Sequence, residues 1–374
     1  MPSATQADLR HNENDCERLK MNSSHENLAT TVAPSDRFDC SSFTRACQRV
    51  LACHFKNLRN RHRFAFVALL VVLAVCLPVF GWDNEGHMTV AYVAYQRLTP
   101  ATKTRVDALL RLNPSYSNTW KAMIPAGTSA EDSKMMFFMI AATWPDQIKR
   151  DPKYHNDGPN GGDRPQGPTS SQNIGYADLL RHKYWHFVDT PFSQDGATLP
   201  GVPTPNAETQ IVAFRAVLAS NQPDPLKSYD MVWLLHLVGD VHQPLHAATR
   251  VSRPMPGGDA GGNLVTLCSS PCKDELHAFW DDLIGTQNSP AAVVSAGKSL
   301  STPNASLVGN KDTAVWIQES FKDAQQQVYV VPIGSGTGPF TITPEYRAAA
   351  SGLARERVAL AGARLAEILN NELK

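Results

Sequence analysis

Net charge is the first property that this sequence lacks. The 374 residues contain 35 Lys/Arg and 35 Asp/Glu, so the formal net charge is zero. Residues 1–63 hold ten of the basic and seven of the acidic side chains, which leaves 25 basic and 28 acidic in the remainder. A protein that binds nucleic acid through its overall charge has a basic footprint. The composition excludes that class, and any affinity for phosphate has to come from local charge, for which bound metal is the obvious source.

Cysteine is scarce in the larger part of the chain. Five of the seven cysteines lie at or before Cys76, and Cys268 and Cys272 are the two that follow. In an exported protein this close pair, with Pro271 favouring a turn, predicts a disulfide between Cys268 and Cys272. Two free thiols or a soft metal site are the alternatives.

Long apolar runs are also few. The run from Phe64 to Phe80 is shorter than the ~20 residues that cross a membrane as a helix. Basic residues precede it and Gly81 stands before Trp82, which is the layout of a secretory signal. We predict a disordered polar tail at 1–63, a signal segment at 64–81 cleaved before Trp82, and one domain at 82–374. The product would be secreted or periplasmic, and a retained membrane anchor is the alternative.

Residues 82–374 carry mostly helical patterns. Apolar spacing predicts helices at 87–98, 102–112, 135–142, 209–218, 313–328 and 345–373, and a long helix that Pro244 ends. Two short extended segments are predicted at 184–189 and 264–268. The glycine cluster at 257–263 lacks a following Lys-Ser/Thr, so it is not a nucleotide cradle. We find no internal repeat and predict an all-α fold, a single mostly helical domain with a few short strands.

The most informative stretch runs from Trp233 to His246. His236 and Asp240 are four residues apart, so they project from one face of a helix. Pro244 ends that helix, and His246 then lies where it can turn back toward the same face. An imidazole and a carboxylate in an apolar helix are costly unless they are paired or bind metal. This spacing predicts a metal site, and a satisfied core histidine is the alternative.

The same spacing occurs again in a short amphipathic helix predicted at 274–282. There His277 and Asp281 repeat the His-x-x-x-Asp pattern. Zinc accepts histidine nitrogen and aspartate oxygen in tetrahedral sites, so two such pairs suit it. Acidic residues on a solvated helix are the alternative. If cleavage frees Trp82, its backbone amine and carbonyl can chelate a metal together with His87.

Six short motifs occur in a fixed order along this domain. They are Trp-x-x-x-Gly-His from Trp82, Trp-Pro-Asp ending at Asp146, Trp-His-Phe-Val-Asp around His186, His-x-x-x-Asp-x-x-x-x-x-His from His236 to His246, Gly-Gly-Asn ending at Asn263, and His-x-x-x-Asp from His277 to Asp281. In this order, the sequence resembles the secreted trinuclear-zinc nucleases of the S-one and P-one type, which are specific for single strands. The resemblance extends from Trp82 to the helix around Ala366.

The resemblance implies a helical fold that binds three Zn²⁺ ions. One ion would be held by Asp146, His186, His236 and Asp240. A second would be held by the Trp82 backbone, His87 and the shared Asp240. The third would be held by His246, His277 and Asp281.

The activity implied by the resemblance is hydrolysis of single-stranded DNA or RNA to 5′-phosphates and removal of 3′-phosphates from nucleotides. The catalytic candidates are Asp146, Asp240 and Lys149. Lys149 stands where the family commonly has Arg; it supplies the charge without the bidentate fork. Phe187 and Asp189 match positions that stack on and hydrogen-bond a base, and Asn263 would support that pocket; core packing is the alternative for Phe187.

Two other functions fit part of the pattern. Zinc-dependent phospholipases C share the fold and the N-terminal Trp, but they typically carry Glu where this chain has Asp281. A membrane-tethered zinc-binding protein would retain 64–80 as its anchor. No stable protein partner is implied. Three further histidines receive no role: His155 and His182 are expected to be solvated, and His242 is expected to be a packed neighbour.

Overall fold

Helices dominate the computed structural model, which describes residues 82–268 and 274–373. These ranges contain eleven α-helices, which confirms the all-α prediction. In chain order they are α1 Asn84–Arg97, α2 Pro100–Leu110, α3 Ala130–Ala141, α4 Trp144–Arg150, α5 Ala207–Leu218, α6 Asp224–Asp240, α7 Leu276–Asp281, α8 Pro290–Lys298, α9 Ala305–Val308, α10 Thr313–Asp323 and α11 Pro344–Glu372.

The strands are short and form two separate pairs. Strand β1 (Pro191–Ser193) is parallel to β2 (Thr249–Val251), with Phe192 opposite Arg250. Strand β3 (Thr266–Leu267) is antiparallel to β4 (Asp274–Glu275), with Thr266 opposite Glu275. Only two residues of the extended segment predicted at 264–268 are therefore in a strand.

Helix α6 is the central element of the fold. From Lys227 to Asp240 every residue is buried, which is expected for a helix that other helices surround. Helices α1, α5 and α11 pack around it. Helix α6 ends at Asp240, before the predicted break at Pro244, and a 3₁₀ turn at Pro244–His246 follows. His236 and Asp240 therefore lie at the C-terminal end of the most buried helix.

Capping residues account for several differences between predicted and observed helix ends. Helix α2 begins at Pro100, two residues before the predicted start, because Thr99 caps it and proline occupies its first turn. Helix α5 begins at Ala207 because Asn206 and Thr209 form a capping box. Helix α10 ends at Asp323 and continues as a π-helix over Ala324–Val328, within the range predicted as one helix. Helices α8 and α9 were not predicted.

The segment before His186 is where the prediction was wrong. Residues 184–189 were expected to be extended, but Lys183–His186 form a 3₁₀ turn and the chain is extended only from Phe187. His182 precedes this turn with a left-handed backbone (φ 45°), a conformation that side-chain periodicity does not reveal.

Some predictions concern residues outside the described ranges. The tail and signal segment at 1–81 and Cys272 are among them, so the domain boundaries and the Cys268–Cys272 disulfide stay predictions. Within 82–268 and 274–373, no helix is both long enough and apolar enough to cross a membrane.

Candidate metal centre

The C-terminal end of α6 presents one histidine and one carboxylate to a buried space. His236 and Asp240 are fully buried, and His236 Nε2 lies 3.1 Å from Asp240 Oδ2. His236 Nδ1 lies 2.7 Å from the carbonyl oxygen of Ala142 and donates to it. That hydrogen bond fixes the tautomer, so Nε2 carries the free lone pair that a metal ligand needs.

Helix α4 and the turn before Phe187 bring two more side chains to the same space. Asp146 Oδ1 lies 3.7 Å from His236 Nε2 and 3.9 Å from His186 Nδ1. His186 Nδ1 lies 3.0 Å from Asp240 Oδ2. Asp146, His186 and His236 thus form one group whose ligand atoms all lie within 4.8 Å of one another.

Helix α1 supplies the next ligand. His87 Nε2 lies 3.4 Å from Asp240 Oδ1, and the His87 ring stacks on His236 with centroids 3.7 Å apart. His87, His236 and Asp240 therefore form a second group, which shares His236 with the first. The buried Trp82 indole donates to Gly239 O at 3.0 Å, which places residue 82 beside Asp240. A ligand role for Trp82 also needs a free amine, and Gly81 lies outside the described residues.

A third group lies on the other side of Asp240. His246 Nδ1 is 3.8 Å from Asp240 Oδ1, and His246 Nε2 is 3.1 Å from His277 Nε2. His277 Nε2 is 3.4 Å from Asp281 Oδ2, at the i,i+4 spacing that was predicted on a helix. Helix α7 carries both residues, although it begins at Leu276 because β4 occupies the two residues before it.

Burial sets the charge states of these side chains. Desolvation, followed by the nearby His236, lowers the pKa of His87 to about 3. Desolvation also lowers the pKa of His236 to about 4 and raises that of Asp240 to about 6. His87 and His236 are therefore neutral at pH 7, which is the form that binds metal. The pKa of Asp281 is raised well above its usual value, again by desolvation first.

The donor set fits a metal ion. Both ring nitrogens of His87, Nε2 of His186, Oδ1 of Asp240 and Oδ2 of Asp281 are buried without a hydrogen-bond partner among the described residues. Such groups are costly in a protein interior unless something else binds them. Ligand atoms on one tetrahedral zinc lie about 3.3–3.5 Å apart. The separations of 2.9–3.9 Å within the first group are close to that spacing.

Lys149 adds a cation beside the first group. Its Nζ lies 2.7 Å from Asp146 Oδ1, and both side chains are almost fully buried. Burial alone would raise the pKa of Asp146, but Lys149 and the neighbouring histidines more than offset it and lower the pKa well below its usual range. Asp146 is therefore ionised, and Lys149 brings a positive charge to the edge of the site.

The predicted base-binding residues line one small cavity next to the third group. Phe187, Asp189 and Asn263 share it with His277, and its volume is about 40 Å³. Phe187 is partly exposed and its ring lies 5.2 Å from that of Tyr184, so both the base-stacking role and core packing stay open. Desolvation, followed by the nearby Asp259, raises the pKa of Asp189 to about 7. Asn263 Nδ2 donates to Ala260 O at 2.6 Å, which holds the glycine-rich loop.

Several groups that support the ligands were not predicted. Gln243 Nε2 donates to Asp281 Oδ1 at 2.7 Å. Nδ1 of His246 and of His277 donate to the carbonyl oxygens of His186 and Gly261, each at 2.7 Å. Backbone carbonyls leave no signal in a sequence. Gln243 could have been found by a weak sequence signal, because it lies inside the motif from His236 to His246.

Of the three histidines without a predicted role, one was placed wrongly. His155 is exposed, as expected. His242 is buried and packed, accepting a hydrogen bond at Nε2 from Arg364 at 2.9 Å. His182 was expected to be solvated but is fully buried, because two carboxylates bind its ring from opposite sides.

Comparison with known proteins agrees with the geometry. A model of the S1/P1 nuclease family matches residues 82–374. Endonuclease 2 of Arabidopsis thaliana is 22% identical over 228 residues, which cover 61% of this chain and 64% of that protein. Endonuclease 4 of the same plant is 24% identical over 228 residues, 59% of this chain and 60% of that protein. Nuclease S1 of Aspergillus oryzae is 23% identical over 215 residues, 56% of each chain. The chain thus matches less than two thirds of the length of each of these relatives. Since the family model covers the entire helical domain that brings the three His/Asp groups together, the chain belongs to the S1/P1 nuclease family.

Proposed function

We propose that this protein is a zinc-dependent phosphodiesterase that cleaves single-stranded DNA and RNA to 5′-phosphates and removes 3′-phosphates from nucleotides. The observation that carries the proposal is the convergence of three His/Asp groups on one buried space, in a chain whose whole domain matches a nuclease family. The names Endonuclease 2 and Nuclease S1 of its relatives support the same class of substrate.

Three zinc ions would be held by the groups described above. Asp146, His186, His236 and Asp240 would hold one ion. His87, Asp240 and the freed Trp82 backbone would hold the second. The third would be held by His246, His277 and Asp281. When bound, zinc ions supply a nucleophile at neutral pH and stabilise negative charge on phosphate oxygens.

The chain's own residues would orient the substrate around this centre. Three Asp ligands leave a net positive charge on a trinuclear zinc site, which suits a phosphodiester in an otherwise slightly acidic domain. Lys149 adds a cation next to Asp146, where it can bind a non-bridging phosphate oxygen. Phe187 offers an aromatic face and Asp189 a hydrogen-bonding group in the adjacent cavity. A base can stack there only when it is unpaired, which favours single strands.

Metal analysis of the purified mature protein tests the proposal most directly. We expect three zinc ions per chain and release of acid-soluble nucleotides from single-stranded substrates, with a slower reaction on duplex DNA. His236→Ala and Asp240→Ala should each lose zinc and reduce hydrolysis by more than about 100-fold. Replacing a residue that only orients a metal ligand already lowers metal affinity or activity by about 10–100-fold. Release of phosphorylcholine without release of nucleotides would identify a phospholipase C instead.

We also propose that the protein is secreted or periplasmic, after cleavage before Trp82. The support is chemical: a free amine at Trp82 would complete the group that contains His87, and the Trp82 side chain already lies beside Asp240. N-terminal sequencing of the exported protein provides the test. A chain that keeps residues 64–81 would contradict this part of the proposal.

A further inference from the structure

His182 is a buried histidine that the proposed chemistry does not use. Its Nδ1 lies 2.7 Å from Asp157 Oδ2, and its Nε2 lies 3.0 Å from Asp178 Oδ2. The ring is also stacked face to face on Trp185, with centroids 3.4 Å apart and planes 4° from parallel. The two ring nitrogens are the hydrogen-bonding atoms of an imidazole, and each of them faces a carboxylate.

This geometry defines the charge of the cluster. A neutral imidazole has one donor and one acceptor, whereas an ionised carboxylate only accepts. The second oxygen of Asp157 accepts from the His182 backbone N–H at 2.8 Å, and that of Asp178 accepts from Leu180 N–H at 2.9 Å. Hydrogen bonds of this kind favour the ionised carboxylate. Both ring nitrogens of His182 must then donate, so the ring is an imidazolium.

Other charged and titratable groups near the cluster leave that conclusion unchanged. Tyr154 and Tyr229 lie near Asp178. Desolvation raises the pKa of Tyr154 to about 12 and that of Tyr229 well above its usual value, so both are neutral. Arg181 donates to Asn156, and Lys183 pairs with Asp163 at 2.7 Å. Trp233 of α6 meets the His182 ring edge-on. Burial lowers the pKa of His182, but the two aspartates outweigh it and the pKa is raised overall.

The cluster is connected to the metal centre by one turn of the chain. His182 begins the 3₁₀ turn Lys183–His186 and adopts a left-handed backbone there. The turn carries His186, a ligand candidate of the first group, and the His186 carbonyl accepts from His246 Nδ1 of the third group. The residues after the turn, Phe187 and Asp189, line the small cavity next to the third group. A left-handed non-glycine residue persists only where its surroundings hold it.

We propose that His182, held as an imidazolium between Asp157 and Asp178, is a positioning residue that fixes the turn presenting His186 to the metal centre. It does so without touching metal or substrate. The inference depends on the proposed function only through the role of His186 as a ligand.

The test uses the zinc-loaded mature protein, which begins at Trp82, with its histidine rings labelled with carbon-13 for NMR. In the wild type, the His182 ring should titrate with a pKa above 6.5. Asp178→Asn removes one negative partner and should lower that pKa by about 1–3 units. The His186 ring resonance should shift in the same variant, and zinc affinity measured by chelator competition should weaken about tenfold, as for other residues that orient a ligand.

Asp163→Asn is the matched control. It makes the same carboxylate-to-amide change at the partner of Lys183, the residue that follows His182, but in a partly exposed ion pair that contributes little to stability. The His182 pKa, the His186 resonance and zinc affinity should all remain at wild-type values. His182→Gln removes the ring itself and should change the His186 resonance and the zinc affinity as Asp178→Asn does. If His182→Gln does not fold, Asp178→Asn and Asp157→Asn still test the inference.

Three results would overturn the inference. They are a His182 pKa at or below 6.5, an unshifted His186 ring in Asp178→Asn, and equal zinc affinities for Asp178→Asn and the control. If the wild type binds no zinc, the proposed function fails by itself. The His182 pKa and the His186 resonance would then still decide whether His182, Asp157 and Asp178 position the turn.

Discussion

Gln243 offers a sharp test of the metal centre, because it touches a candidate ligand and nothing in the proposed chemistry requires it to react. Its amide donates to Asp281 Oδ1 at 2.7 Å, and its side-chain oxygen caps the turn at Pro244–His246 by accepting from Leu245 N–H. Gln243→Leu keeps the approximate volume but removes both hydrogen bonds. Asp281 would then be free to rotate away from His277.

The size of the effect can be worked out in two ways. A hydrogen bond to a charged group contributes about 1.5–3 kcal/mol. Loss of an outer residue that orients a metal ligand costs about 10–100-fold in affinity, which is about 1.4–2.8 kcal/mol. The two ranges agree, so we expect one of the three zinc ions to bind about 10–100-fold more weakly in Gln243→Leu.

Chelator competition followed by zinc counting measures this change. Gln243→Leu should release one zinc ion at a lower chelator concentration than the wild type does, and the other ions at the same concentration. Gln194→Leu is the control, because Gln194 also donates its amide to a protein acceptor, Tyr329 O, but contacts a different part of the fold. Identical zinc release from Gln243→Leu and the wild type would refute the assignment of Asp281 as a ligand.

Three other substitutions give distinct outcomes. Lys149→Ala should reduce kcat by about 100-fold, because it removes one donor to the transition state. Lys149→Arg should keep at least the wild-type rate. Equal rates for Lys149→Ala and the wild type would contradict a role of Lys149 in binding phosphate. Gly261→Ala should weaken zinc binding and lower the Tm, because its backbone is left-handed (φ +60°) and the new Cβ would lie 2.5 Å from Leu245 O; an unchanged Tm would count against this. Asp230→Asn should stabilise the protein at pH 8. Burial raises the pKa of Asp230 to about 8, so the folded state keeps a proton that the unfolded state releases near pH 4. The free energy of unfolding of the wild type therefore falls between about pH 4 and pH 8. Each unit of pKa shift corresponds to about 1.4 kcal/mol, so this fall should amount to several kcal/mol by pH 8. Urea titrations at several pH values should show the fall in the wild type and not in Asp230→Asn; parallel curves would refute the reasoning.

Helical periodicity is the part of the site that a sequence encodes locally. His236 and Asp240 are one turn apart on α6, and His277 and Asp281 are one turn apart on α7, because i,i+4 spacing puts two side chains on one face. The spacing says nothing about which other elements approach that face. Asp146 of α4 was linked to these pairs only by resemblance to a family.

Turns held by tertiary contacts are the part that a sequence conceals. The 3₁₀ turn before Phe187 depends on His182, whose partners Asp157 and Asp178 are 25 and 4 residues away. An alternation of aromatic and polar residues at 184–189 therefore predicted an extended segment where the chain turns. Helix α9 escaped prediction for a different reason: its four residues are too few to show a period, and Asn304 caps it locally.

The candidate ligands also explain why a helix as apolar as α6 can contain a histidine and an aspartate. Burying a carboxylate costs several kcal/mol unless a cation compensates it. Lys149 compensates Asp146, but Asp240 and Asp281 face histidines whose pKa values are lowered or whose rings already donate to carbonyl oxygens. Neutral imidazoles cannot balance those two negative charges. Divalent cations can, and one of them would also satisfy a buried ring nitrogen of His87 that has no hydrogen bond among the described residues. On this argument a bound metal would be part of the hydrophobic core as well as of the proposed reaction, and it would allow the fold to tolerate the polar residues of α6 and α7.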